Sequence, residues 1–77
     1  MDHPLYKLLK KLDEKRLYYS LSRHRSDTIL VSVTLVGMRV EVDVFDDGRM
    51  DVSCFRGDES VEGFEDLAYA LIAEYGD

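Results

Sequence analysis

The chain has 77 residues, with 16 Asp or Glu against 10 Lys or Arg, which gives a formal net charge of −6. This length supports one small hydrophobic core, so we expect a single domain spanning residues 1–77. The negative charge argues against binding to nucleic acid or to an anionic membrane surface, because both attract basic proteins.

Three further features of the sequence concern the cellular compartment of the protein. No apolar stretch reaches the roughly 18 residues of a membrane-spanning helix, and residues 1–4 lack the basic-then-apolar order of a secretory signal. The single cysteine, Cys54, has no partner for an internal disulfide. Proteins without disulfides are typical of reducing compartments, so we predict a cytoplasmic protein.

The first predicted element is an amphipathic helix over residues 4–16. Pro4 is tolerated in a first helical turn, and Asp2 just upstream is a candidate N-cap. Helical spacing of apolar side chains supports the element. The residues in this stripe are Leu5, Leu8, Leu9 and Leu12.

Residues 17–56 change to a period of two, which predicts four strands with one apolar face. Three short turns separate them: Arg25-Ser26-Asp27, Val36-Gly37 and Asp46-Asp47-Gly48. A two-residue turn at Gly37 and three-residue turns on either side keep apolar residues opposite apolar residues throughout. The resulting cross-strand neighbours on the polar face are Tyr18–Thr34–Arg39–Phe55, Ser20–Ser32–Glu41–Ser53 and Ser22–Leu30–Asp43–Asp51.

The last predicted element is a helix over residues 62–75, after a loop at residues 57–60. Its apolar stripe contains Leu67, Leu71, Ile72 and Tyr75, with Phe64 and Ala68 extending it, and Gly76 ends it. Glu62 is read as an acidic residue of its first turn. The fold class is therefore α+β with the order α-β-β-β-β-α, a four-stranded antiparallel meander with both helices packed on its apolar face.

The opposite sheet face is left open by this arrangement. It combines aromatic side chains, an arginine, a central leucine and three carboxylates, a mixture typical of protein interfaces. The alternative is an ordinary solvated face that carries a few apolar groups. The residues predicted to bind a partner are Tyr18, Leu30, Arg39, Glu41, Asp43, Asp51 and Phe55.

No catalytic, cofactor or metal site is predicted. Cys54 lies in the apolar phase of the fourth strand, which indicates a core thiol rather than a nucleophile. Asp46-Asp47-Gly48 lacks the ligand spacing of a calcium loop and is read as a hairpin turn. No histidine and cysteine spacing matches a metal site. We therefore expect a protein that is not an enzyme.

The stretch from Arg25 to Phe55 resembles a group of small bacterial proteins. It pairs a Gly-x-Arg-x-Glu hairpin, Gly37 to Glu41, with the Asp-Gly hairpin at Asp47-Gly48. Such proteins resemble the immunity proteins that accompany polymorphic or contact-dependent toxins. The resemblance implies a protein partner, such as a basic toxin domain, and no catalytic residue.

Two functions are consistent with these features. One is a cytosolic protein-binding domain, most concretely an immunity-type inhibitor that acts through the open sheet face. The other is a homodimeric structural or accessory module without catalytic activity, which uses the same face or an edge strand.

Overall fold

The computed structural model describes residues 3–23 and 25–75, and it is an α+β fold with two helices and one antiparallel sheet. The sheet has five strands in the order β1-β2-β3-β4-β5, so the predicted count of four is wrong. The elements are α1 (Pro4–Glu14), β1 (Tyr18–Ser22), β2 (Thr28–Leu35), β3 (Met38–Phe45), β4 (Met50–Arg56), β5 (Glu59–Gly63) and α2 (Glu65–Tyr75).

Helix α1 is capped by the side chain of His3, which was not predicted as its N-cap. The predicted cap, Asp2, lies outside the described residues. Nδ1 of His3 accepts a hydrogen bond from the Leu5 backbone N–H at 3.1 Å, while Nε2 of His3 lies 3.1 Å from the Asp46 carbonyl oxygen. Because Nδ1 accepts, Nε2 carries the proton and donates to Asp46. His3 thus ties the start of α1 to the β3–β4 turn.

The end of α1 comes two residues before the predicted boundary. The helix ends at Glu14, the N–H of the C-cap Lys15 donates to the Lys11 carbonyl at 3.1 Å, and the backbone of Arg16 adopts φ of 57°. A left-handed residue of this kind closes a helix by turning the chain away from its axis. The chain then enters β1 at Tyr18.

The strand register agrees with the one derived from the turns. Gly37 and Gly48 adopt φ of 73° and 94°, which the tight β2–β3 and β3–β4 turns require. Thr34 pairs with Arg39 and with Tyr18, and Arg39 pairs with Phe55. The three predicted cross-strand rows are therefore present.

The core lies between the helices and the predicted apolar face of the sheet. Val40 and Val42 keep only 3% and 1% of their surface exposed, because α1 and α2 both cover this side. Burying each such side chain contributes about 1.5–3 kcal/mol. Helix α1 contributes mainly Leu8 and Leu12 to the same cluster, and α2 contributes Ala68 and Ile72. The two helices therefore share one face, as predicted.

The fifth strand replaces the predicted loop and the first turn of the second helix. Gly57 has φ of 59° and begins a two-residue turn, after which residues 59–63 run back along β4. Glu62 accordingly belongs to β5, and α2 begins three residues later than predicted, at Glu65. Phe64 precedes the helix and is 69% exposed, so it does not extend the apolar stripe. The predicted terminator Gly76 lies outside the described residues.

Candidate functional site

The open face consists of side chains that point away from both helices. Its three rows are extended by β5, which places Ser60 beside Phe55 and Glu62 beside Ser53. Rows of directly opposed residues are the units in which side chains interact across a sheet. The rows are Tyr18–Thr34–Arg39–Phe55–Ser60, Ser20–Ser32–Glu41–Ser53–Glu62 and Ser22–Leu30–Asp43–Asp51.

All seven predicted binding residues share this face, but they differ in exposure. Tyr18 is 73% exposed because it lies on the edge strand β1. Asp51 is also exposed. Of the remaining five predicted residues, Arg39 is exposed and four are half-buried. The half-buried ones are Leu30, Glu41, Asp43 and Phe55.

Arg39 is held by two neighbours on the face. Its guanidinium carbon lies 5.4 Å from the centre of the Phe55 ring, and its Nη2 lies 3.4 Å from Oε1 of Glu41. The first contact is a cation–π interaction across β3 and β4, and the second is a salt bridge between residues two apart on β3. Arg39 is nevertheless 58% exposed. A positioned, exposed arginine over an aromatic ring is typical of an interface anchor.

Asp43 and Asp51 form a pair of like charges. They are register partners in β3 and β4, and their side chains project from the same face. No cationic side chain within residues 3–23 and 25–75 lies close enough to either carboxylate to form a salt bridge. Directly opposed like charges destabilise a sheet. These two carboxylates therefore remain available to a cation supplied from outside.

A shallow groove of about 400 Å³ runs beside this carboxylate pair. Glu62 of β5 adds a third carboxylate to its wall, and the exposed Phe64 also lines it. Sequence reasoning missed Glu62 because it predicted a loop over residues 57–60 and placed Glu62 in the first turn of the second helix. The available signal was Gly57-Asp58, which has the composition of a tight hairpin turn.

The row next to Ser22–Leu30–Asp43–Asp51 contains an aromatic residue that was not predicted as part of the site. Phe45 pairs with Thr28 and is only 6% exposed. The guanidinium carbons of Arg49 and Arg25 lie 4.1 Å and 5.5 Å from its ring centre. Two turns supply these arginines. Phe45 continues the alternation of Arg39, Glu41 and Asp43, and that phase was the signal for its position.

His24 lies outside the described residues. Its neighbours belong to a charged turn. Arg23 donates from Nη2 to the Ser26 carbonyl at 2.6 Å and from Nε to the Arg25 carbonyl at 3.3 Å. Arg25 forms a salt bridge of 3.1 Å with Asp27.

The helix side of the molecule carries a second groove, of about 660 Å³, between α1 and α2. Its walls mix lysines and carboxylates, and Nζ of Lys7 lies 5.7 Å from the ring centre of Tyr69. Burial, followed by the nearby charge of Glu65, raises the pKa of Tyr69. The mixed signs give this groove no preference for an anion or a cation.

Catalytic chemistry has few candidates. Cys54 is 7% exposed in the core, where its thiol lies against Met38. Across the part of the chain that the structure describes, no three side chains of His, Cys, Asp or Glu converge as a metal site would require. The described helices are also too short to cross a bilayer. The open face is a broad surface with a shallow groove and no enclosed cavity among the described residues.

Comparison with protein-family models, curated proteins and solved structures finds no match to this chain.

Proposed function

We propose that this chain is a protein-binding domain whose open sheet face docks a partner with a basic surface. Its most concrete form is a small inhibitor that caps the partner by steric and electrostatic means. The observation that carries the proposal is the opposition of Asp43 and Asp51, two carboxylates without a cationic neighbour among the described residues, on the uncovered side of the sheet.

Electrostatics favours a cationic group from the partner at this pair. A lysine or arginine between Asp43 and Asp51 would replace their repulsion with two attractions. Complementary charge of this kind mainly raises the association rate and selects the partner. The negative net charge of −6 acts in the same direction over longer distances.

Packed contacts on the same face would supply most of the affinity. Arg39 is already held over Phe55, so little side-chain freedom remains to be lost when a partner covers it. Tyr18 offers a large exposed ring on the edge strand β1, and the half-buried Leu30 provides an apolar group beside Asp43. Aromatic and arginine side chains of this type dominate binding energy at protein interfaces.

The resemblance to immunity proteins supports a bacterial toxin as the partner class and the cytoplasm as the place of action. A free, buried Cys54 is compatible with a reducing compartment. Inhibition would require no chemistry from this chain, because covering a basic functional surface is sufficient. The proposed role is therefore that of a non-catalytic inhibitor.

The proposal is tested with two variants of equal charge. Asp43→Asn with Asp51→Asn removes the opposed pair, whereas Asp58→Asn with Glu74→Gln removes two exposed carboxylates elsewhere. The tagged parent chain is used to recover partners from cells that produce it. The captured partner is then titrated against both variants.

We expect the first pair of substitutions to weaken binding roughly tenfold, which equals about 1.4 kcal/mol, and the second pair to leave it nearly unchanged. Equal weakening by both pairs would assign the effect to net charge alone. Unchanged binding by the first pair would exclude the open face as the docking site.

The alternative function, a homodimeric accessory module, is favoured by one separate observation. The edge strand β1 carries no charged residue and has its outer side unpaired among the described residues.

A further inference from the structure

The two edges of the sheet differ in their protection against pairing with another strand. Natural proteins protect exposed edges with charges, proline, bulges or covering segments. Edge strand β5 carries Glu59 and Glu62 in its five residues. Edge strand β1, with the sequence Tyr-Tyr-Ser-Leu-Ser, has no charge, proline or glycine. The β1 edge is therefore the one open to a further strand.

The phase of the β2–β3 turn determines which backbone groups of β1 face outward. A two-residue turn is flanked by a hydrogen-bonded pair, here Leu35 and Met38. Hydrogen-bonded pairs alternate along antiparallel strands. This alternation, followed from Leu35 back to Ser32, makes Ser32 and Ser20 a hydrogen-bonded pair of β2 and β1. The backbone N–H and C=O groups of Ser20 therefore point toward β2. Those of Tyr19 and Leu21 consequently point to the open side.

The outward groups of β1 are complementary to themselves. If two β1 strands meet antiparallel about a two-fold axis at Ser20, Tyr19 of each copy lies opposite Leu21 of the other. Each of these two pairs can form two backbone hydrogen bonds, because both residues direct their donors and acceptors outward. The same register opposes no charged residue within Tyr18–Ser22.

The side chains agree with this register. Tyr19 and Leu21 both project on the helix side, where Tyr19 packs against the core and Leu21 is 49% exposed. Pairing would place the exposed Leu21 against Tyr19 of the other copy and extend the apolar layer across the junction. Arg23, just beyond β1, is hydrogen-bonded into its own turn.

We propose that β1 pairs antiparallel with β1 of a second copy of this chain, with Ser20 on the two-fold axis, to form a continuous ten-stranded sheet. A closed two-fold contact of this kind stops at two copies. The helices remain on one side and the two open faces lie next to each other on the other side. The inference rests on the alternative function given above, the homodimeric module, and it does not depend on partner binding, since the open face stays uncovered.

The first test is the mass in solution. A dimer has twice the monomer mass of 8.9 kDa, measured by light scattering across a concentration series. Leu21→Lys places a charge on the β1 edge, and Val61→Lys makes a matched change on β5, where Val61 is 55% exposed. We expect Leu21→Lys to give monomers and Val61→Lys to remain dimeric. Circular dichroism establishes that both variants fold.

The second test measures the register. Ser20 would face Ser20 of the other copy as a non-hydrogen-bonded pair with Cα atoms about 4.5 Å apart, a separation that a disulfide can span. Ser20→Cys should therefore form a disulfide-linked dimer under mild oxidation. Ser22→Cys, on the same strand and face, should not, because the two-fold axis separates its copies by about four residues, or roughly 13 Å.

Several results would overturn the inference. They are a wild-type chain that stays monomeric at every concentration, a dimer that Leu21→Lys leaves intact, oligomers that grow beyond two copies, and equal cross-linking of the Ser20→Cys and Ser22→Cys variants or of neither.

Discussion

Asp43 lies directly opposite Asp51 across β3 and β4, on the side of the sheet that the helices leave open. The relationship is unfavourable for the isolated domain, since like charges in opposed sheet positions repel each other. A surface that keeps such a pair without a nearby cation among the described residues gives up some stability and gains attraction for a basic partner.

This cost leads to the first prediction. Asp51→Asn should increase the free energy of unfolding by roughly a few tenths of a kcal/mol, because it removes the repulsion with Asp43. The gain should shrink as salt is added, since screening weakens the repulsion in the parent chain. Urea unfolding at low and high ionic strength measures both effects. Asp58→Asn, in the β4–β5 turn, is the control and should show neither, whereas a loss of stability in Asp51→Asn would contradict the account.

The second prediction concerns pH. Tyr19 donates a hydrogen bond to Oδ1 of Asp13 at 2.9 Å, and this bond, followed by burial and the Asp13 charge, raises the pKa of Tyr19. A pKa raised in the folded state adds stability that is present below the unfolded value of about 10 and is lost as pH rises through the folded value.

Tyr19→Phe should therefore be less stable than the parent chain near neutral pH, and the difference should decrease in alkaline solution. Urea unfolding at about pH 8 and about pH 11 measures the change. Tyr18→Phe is the matched control, because Tyr18 is adjacent in sequence and 73% exposed. A difference that stays constant with pH would contradict the assigned hydrogen bond.

The third prediction separates backbone strain from steric contact in two turns. Gly37 and Gly48 both have positive φ, but a Cβ added at Gly37 meets no atom within 4 Å, whereas one added at Gly48 would lie 3.0 Å from Cγ of Pro4. Gly37→Ala should cost about 1 kcal/mol from strain alone, and Gly48→Ala should cost more. Thermal unfolding ranks the two, and equal costs would show that Pro4 moves without penalty.

The sheet register was predictable from sequence because two independent constraints agree. Alternation defines which residues share a face, and the length of each turn defines which residues oppose each other. Val36-Gly37 is short enough to leave only one register that keeps Val33 opposite Val40. The positions of all seven predicted binding residues on one face followed from that register.

Strand β5 could not be recognised in the same way. Its segment has one aliphatic residue, Val61, which is 55% exposed, so the hydrophobic pattern that identifies buried strands is missing. An edge strand is held chiefly by backbone hydrogen bonds to one neighbour, and composition records these poorly. Glu62 and Glu65 also suit the first turn of a helix, and this favoured the wrong boundary.

The cap at His3 and the burial of Phe45 depend on tertiary contacts. His3 caps α1 because the β3–β4 turn brings the Asp46 carbonyl to its ring. Phe45 is covered by Arg25 and Arg49, which come from two different turns. Sequence spacing contains no information about either meeting before the sheet is assembled.

The central claim, that the open sheet face binds a partner protein, is tested most directly by the double substitution Arg39→Glu with Phe55→Ala. Both side chains are outside the core, so the domain should remain folded by circular dichroism. The matched control is Lys7→Glu with Tyr6→Ala on α1, where Tyr6 is 61% exposed. Binding of the captured partner is measured by calorimetry, and the account predicts that the open-face variant loses binding while the α1 variant retains it. Retention of full affinity by the folded Arg39→Glu, Phe55→Ala variant would contradict the claim.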